Sequence, residues 1–206
     1  MGTRIYDCIS RIAERIIDNK DYLTDLDREI GDADHGVNMA RGFQAVLEKV
    51  PQDNANIGDV LKKTGMTLLS TVGGASGPLY GTAFMEAGKV VAGKENLEAG
   101  DVPVILKAVI GGIQKRGKAV QGEKTMLDAL IPALESFTEK IAASSDVSEA
   151  MDAACAAARD GVEFTRTIRA TKGRASYLGD RSIGHQDPGA TSATLIMEAV
   201  RDFLRG

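Results

Sequence analysis

Apolar residues in this chain recur every three to four positions in stretches bounded by glycine and proline, while period-2 alternation is scarce. The pattern predicts an all-α fold of eight helices. The first, near residues 3–20, carries Ile5, Cys8, Ile9, Ile12 and Ile16 on one face. The second, near 37–50, carries Met39, Phe43, Val46 and Val50, and Pro51 stops it. A third runs about 57–72 and a fourth, near 82–92, lies between Gly81 and Gly93. The fifth follows Asp101 as its N-cap, with Pro103 in its first turn. The sixth spans about 126–143 and should kink at Pro132. The seventh, near 147–170, opens with Asp146 and Glu149 at capping-box spacing, and the eighth lies near 190–204.

In an antiparallel up-down arrangement, alternate connections fall at the same end. The connections after helices one, three, five and seven are Asp27–Gly36, Gly73–Gly81, Arg116–Thr125 and Lys172–Gly189, all rich in glycine and charge. The remaining ones, Pro51–Asn56, Gly93–Asp101 and Ala142–Asp146, read as plain solvated turns. Everything chemically distinctive therefore converges on one rim, where loops on a rigid scaffold place functional sites.

Within that rim, Asp27, Asp32 and Asp34 put three carboxylates close together, followed by His35 and Gly36. They could simply cap and solvate the next helix. As ligands, hard oxygens at this density favour magnesium, manganese or calcium over zinc. An EF-hand is excluded, because counting from Asp32 puts Val37 at the turn glycine and Phe43 at the bidentate glutamate. Magnesium shared with a phosphate ligand fits better.

The other rim residues extend this picture. His35 and His185 are the only histidines. His35 could donate to a phosphate oxygen or itself carry a phosphoryl group, whereas His185 is as readily structural. Asn38 would present its amide at a helix N-terminus, which favours anions. Gly73–Gly77 allows close backbone approach, and Ser76 adds a hydroxyl. Arg174 and Arg181 could clamp phosphate, and Asp187-Pro188-Gly189 reads as a turn opening the last helix. Gly112–Ala119 nearly matches a P-loop, but Ala119 stands where the metal-binding hydroxyl belongs and the segment follows a helix.

The 206 residues suit one domain spanning 1–206, and 43% hydrophobic with 26% charged residues is a globular balance. A net charge of −4 without a basic block argues against nucleic acid or an anionic membrane as partner. Cys8 and Cys155 fall in apolar stripes and read as reduced, buried thiols. The first residues lack an apolar signal core and no run of 18 apolar residues occurs, so a cytoplasmic location is expected.

Together the rim segments resemble the nucleotide-binding L subunit of dihydroxyacetone kinase. The resemblance rests on Leu26–Gly36, Gly65–Ser70 with Gly73–Gly81, Lys124-Thr125-Met126, and Lys172–Gly179 with Gly184–Thr191, in that order along most of the chain. It implies an eight-helix barrel with ADP bound at one end. It further implies that Asp27, Asp32 and Asp34 hold two magnesium ions. His35, Gly36, Val37, Asn38, Ala75, Ser76, Gly117, Met126, Arg174, Asp187, Pro188 and Gly189 would contact the nucleotide, with His35 and Arg174 serving catalysis. Many family members have glycine where this chain has Ala33, which leaves every ligand in place.

The family divides by phosphoryl donor. In one branch the domain is fused to a sugar-binding domain and uses ATP. In the other it is a separate subunit whose ADP stays bound and passes transiently through ATP. A phosphotransferase-system subunit then donates the phosphoryl group, and dihydroxyacetone on a sugar-binding subunit accepts it. Having no room for the sugar-binding domain, this chain is expected in the second branch. An ATP-dependent dihydroxyacetone or short-ketose kinase subunit and a non-catalytic nucleotide sensor are the alternatives, and a homodimer stays open.

Overall fold

A computed structural model of the chain describes residues 4–206. Among these residues there is no strand, and nine α-helices account for the architecture. They are α1 (Arg4–Asp18), α2 (Lys20–Ile30), α3 (His35–Lys49), α4 (Ile57–Thr71), α5 (Ser76–Val90), α6 (Asp101–Gly117), α7 (Leu127–Ser144), α8 (Val147–Thr167) and α9 (Pro188–Arg205). A 3-10 segment, Arg174–Ser182, lies between α8 and α9.

Each helix from α3 onward packs on the next, and α9 closes the ring against α1. Arg15 on α1 seals that seam through Asp202 at 2.7 Å and Glu198 at 3.6 Å. The apolar stripes turn inward: Ile9, Ile12 and Ile16 of α1 meet Met39, Phe43 and Val46 of α3 in one core, where Phe43 packs edge-on against Phe84. Small residues let the helices approach closely. A Cβ on Gly88 would sit 2.6 Å from the Gly58 carbonyl oxygen, and one on Gly65 equally close to that of Gly81. The α7–α8 seam uses Ala129, Ala133, Ala154, Ala158 and Gly161 in the same way.

The all-helical expectation holds, with four local differences. Residues 21–30, left out of the first expected helix and from Asp27 onward expected as connection, belong to α2, which continues α1 past a bend at Asn19. Helix α5 begins at Ser76 rather than 82, because Pro78 is tolerated in a first turn. Helix α8 ends at Thr167 rather than 170. Asp101 is the first helical residue, not the cap; its carboxylate is taken by Lys94 at 2.6 Å and by the Glu98 N–H. Asp146 does cap α8, accepting from the Ser148 and Glu149 N–H groups. Helix α7 runs through Pro132 from Leu127 to Ser144. Among the described residues no helix is long and apolar enough to cross a membrane.

Candidate functional site

The acidic segment is shaped by its first carboxylate. Asp27 lies in the last turn of α2, where Gly31 returns its N–H to the Asp27 carbonyl. A side chain on Gly31 would collide with Asp27 Oδ1, so only glycine lets the chain fold back over this residue. Ala33 completes the reversal in the left-handed region, at φ 59°. Asp27 Oδ2 then accepts the N–H groups of Asp34 at 2.9 Å and His35 at 3.2 Å. It thereby caps α3 from across the loop, while Asp34, at the nominal cap position, makes no side-chain cap bond.

This leaves Asp32 and Asp34 uncommitted to the helix. One oxygen from each of Asp27, Asp32 and Asp34 lies within 4.8 Å of the other two, in a gradient from buried Asp27 to exposed Asp32. Like charges this close repel unless a cation stands among them. One cation is Arg174, whose Nε lies 2.7 Å from Asp32 Oδ2. Both partners are partly exposed, so the pair adds little stability.

The expected convergence of loops is present. The N-termini of α3, α5, α7 and α9 all face this rim, and His35, first in α3, joins them. Its Nδ1 lies 3.0 Å from Ser76 Oγ at the start of α5. Its Nε2 lies 2.9 Å from Ser192 Oγ on α9. Burial lowers the pKa of His35, against the opposing pull of Asp27 and Asp34, and so favours a neutral ring. Four helix N-termini turn their positive dipole ends to one place, a setting that attracts anions.

The other expected residues divide by what surrounds them. Val37, Ala75 and Gly117 are exposed at the rim. Gly36 is buried, its missing side chain letting α3 press against the α2 backbone at Lys20 and Thr24. Asn38 turns its carboxamide oxygen to Arg41 at 2.7 Å, and its carboxamide packs over Gly73. Met126 is buried beside Gly189. Asp187 caps α9 through Ala190 N–H at 2.6 Å with Pro188 in the first turn. Burial pushes the Asp187 carboxyl up to about 7, although the Ala190 hydrogen bond and Lys124 oppose it. Arg181 is exposed, and Arg174 supplies the ion pair to the cluster. His185 lies 3.8 Å from Glu29, and Gly112–Gly117 ends helix α6, so no P-loop forms.

Sequence reasoning missed what fastens the loops together. Lys124, in the left-handed region at φ 62° and 2% exposed, donates its ammonium to the carbonyls of Thr165 and His185, with Ile168 at 3.5 Å. Burial lowers its pKa. Asp128, fully buried, accepts the N–H of Thr125 at 2.8 Å and that of Gly122. The sequence signal was the Lys124-Thr125-Met126 motif itself, in which only Met126 was given a role.

With this geometry established, the chain can be set beside known proteins. The DAK2 domain family model matches residues 29–202. The chain is 47% identical to the ADP-binding subunit of the phosphoenolpyruvate-dependent dihydroxyacetone kinase of Escherichia coli K12, over 95% of this chain and 94% of that protein. It is 41% identical, over the same shares, to the ADP-binding subunit of the phosphotransferase-system-dependent enzyme of Lactococcus lactis. Among solved structures, the dihydroxyacetone kinase of C. freundii shares the fold at a TM-score of 0.72 and 24% identity, covering 96% of this chain and 34% of that one. The same kinase in complex with AMP-PNP and Mg2+ gives a TM-score of 0.70 at 23% identity, covering 96% of this chain and 33% of that one.

Proposed function

Because the chain belongs to the DAK2 domain family, we propose that it is the ADP-binding subunit of a phosphoenolpyruvate-dependent dihydroxyacetone kinase, a cytoplasmic phosphotransferase subunit that acts with partners. The observation that carries this reading is the meeting of Asp27, Asp32 and Asp34 oxygens within 4.8 Å at the rim where four helix N-termini converge. The donor set fits the expected metal. All three ligands are hard oxygens, and one is already immobilised by two backbone N–H groups.

Asp27, Asp32 and Asp34 would hold two magnesium ions, and the nucleotide would lie among His35–Asn38, Ala75, Ser76, Gly117, Met126, Arg174 and Asp187–Gly189. When bound, the metal ions offset phosphate charge and the ADP carries the phosphoryl group in transit. The chain's own residues position and neutralise. Helix N-termini offer N–H groups to phosphate oxygens, and the Arg174 guanidinium is free to exchange Asp32 for a phosphate. His35 suits a hydrogen-bonding role rather than that of a phosphoryl carrier, since both ring nitrogens already face hydroxyls. The phosphoryl group would arrive from a phosphotransferase-system protein and leave to dihydroxyacetone on a sugar-binding subunit.

The test is to denature purified protein, identify the released nucleotide and metal, and then reconstitute phosphoryl flow from phosphoenolpyruvate to dihydroxyacetone. Stoichiometric ADP with magnesium, and product formed without added ATP, is the expected result. An empty site with turnover only on added ATP would replace this reading with an ATP-dependent kinase subunit. Turnover that proceeds without the chain would leave a nucleotide sensor.

A further inference from the structure

Behind His35 runs a chain of hydroxyl groups reaching the core. Ser192 on α9 is fully buried, and its Oγ lies 2.6 Å from Tyr80 Oη and 2.9 Å from His35 Nε2. The Pro188 and Gly189 carbonyls lie at 3.0 and 3.1 Å from the same Oγ. Tyr80, 3% exposed on α5, has Gly189 O as its other neighbour at 3.2 Å. At the far end of the imidazole stands Ser76, half-buried at the rim. Three helices thus contribute one continuous line, Tyr80–Ser192–His35–Ser76.

Each hydroxyl has one proton to give and a neutral imidazole has one N–H. Tyrosine is the stronger acid of the first pair, so at 2.6 Å its O–H goes to Ser192 Oγ. The Ser192 proton then has two destinations. If it goes to a helix carbonyl, Nε2 must carry the ring proton and Nδ1 must take the proton of Ser76, whose hydroxyl then offers the rim only lone pairs. If it goes to Nε2, the ring proton sits on Nδ1 and is donated to Ser76, leaving the Ser76 proton free. Both arrangements contain the same number of protons. A phosphate at the rim supplies acceptors alone and selects the second.

We propose that Tyr80 and Ser192 are positioning residues for phosphate binding: they hold the Ser192 O–H as a hydrogen-bond donor to an unprotonated Nε2 of His35, so that His35 donates through Nδ1 and Ser76 donates to the phosphate. This rests on the reading that Mg-ADP binds at the rim. It gives a reason for a buried tyrosine and a buried serine that touch no ligand themselves.

With only two histidines, the ring 15N resonances can be assigned, using His185→Gln to leave one ring. In the full chain with magnesium and ADP, His35 should show a protonated Nδ1 and an unprotonated Nε2. Ser192→Ala should move the ring to the Nε2–H form and weaken Mg-ADP binding by about tenfold, with far-UV circular dichroism retained. Tyr80→Phe should weaken binding by about threefold, because Ser192 stays. A role confined to packing would lower the melting temperature and leave the tautomer alone. An Nε2–H ring in the wild-type complex, or an unchanged tautomer in Ser192→Ala, overturns the inference while leaving nucleotide binding intact. If the wild type, stripped of nucleotide, fails to bind Mg-ADP in calorimetry, both the inference and the reading beneath it fall.

Discussion

At the rim formed by the α3–α4, α5–α6 and α7–α8 connections, the loops close with ordinary surface chemistry. Asn56 caps α4 through Asp59 N–H, Lys94 pairs with Asp101, and Asp146 caps α8. At the other rim, Asp27, His35, Lys124, Asp128 and Asp187 are all buried. Ala33, Lys118 and Lys124 there adopt left-handed backbone, against Ser145 at the plain rim. Both rims turn the same ring of helices, so the turns themselves do not demand buried charge or strained φ. These features cost stability, and they collect where a ligand would use them.

The widest separation between the rims should come from Asp27. Asp27→Ala removes one carboxylate of the cluster and the acceptor for two backbone N–H groups. Metal and nucleotide retention should vanish, and stability should fall by about 2–4 kcal/mol in urea unfolding. Asp32→Ala should abolish the same retention while stability stays within about 0.5 kcal/mol, because Asp32 is exposed. Normal ADP content in purified Asp32→Ala protein would break the metal-bridge account outright.

Away from the site rim, the converse dissociation is expected. A Cβ on Gly88 would press on the Gly58 carbonyl at 2.6 Å, where backbone has nowhere to yield. Gly88→Ala should cost about 2 kcal/mol, or roughly 4–8 °C in melting temperature for a chain of this size. Mg-ADP affinity measured below the transition should not change. A loss of affinity there would mean that the two rims are coupled through α4 and α5.

Acidity sharpens the comparison further. Asp187, facing Lys124, Asp128 and Asp27, has its carboxyl raised to about 7 by burial, against about 3.9 in an unfolded chain. Between these values the folded form keeps a proton that the unfolded form has lost, so this group lowers stability as pH rises through that window. Asn at the same position still caps a helix but does not ionise. From pH 5 to 7, Asp187→Asn should therefore gain roughly 1–2 kcal/mol over the wild type, the two profiles running parallel above about pH 8. Parallel profiles throughout would place the Asp187 carboxyl in the ordinary range.

How far the sequence could be read follows the same division. Helices whose seams are apolar throughout were legible, as was the carboxylate triad, because both are local patterns. Helix α2 was not: its buried residues are Leu23, Asp27 and Ile30, so a buried aspartate occupies the middle of the stripe and breaks the period. Ser76–Gly81 read as a loop because it is glycine-rich. Gly77 and Gly81 in fact serve close approach, to the Val72 and Gly65 carbonyls respectively. Lys124 was illegible for a third reason, since its carbonyl partners lie 41 and 61 residues away along the chain.

The smallest effect belongs to Ala33, between Asp32 and Asp34 at φ 59°. Left-handed backbone costs a Cβ-bearing residue about 1 kcal/mol, and Ala33→Gly removes that cost. Glycine also loosens the unfolded chain, which takes back about 0.4–1 kcal/mol. The two nearly cancel, so stability should change by less than about 0.5 kcal/mol. The loop itself is different, because Asp32 is placed relative to Asp34 by the Ala33 conformer together with the Asp27 carboxylate and the Arg174 ion pair. Hydrogen exchange at the Asp34 amide should quicken in Ala33→Gly without nucleotide and match the wild type with Mg-ADP bound. Should exchange stay the same in the free protein, the carboxylates are held by Asp27 and the Arg174 pair, and the left-handed alanine contributes nothing to readying the site.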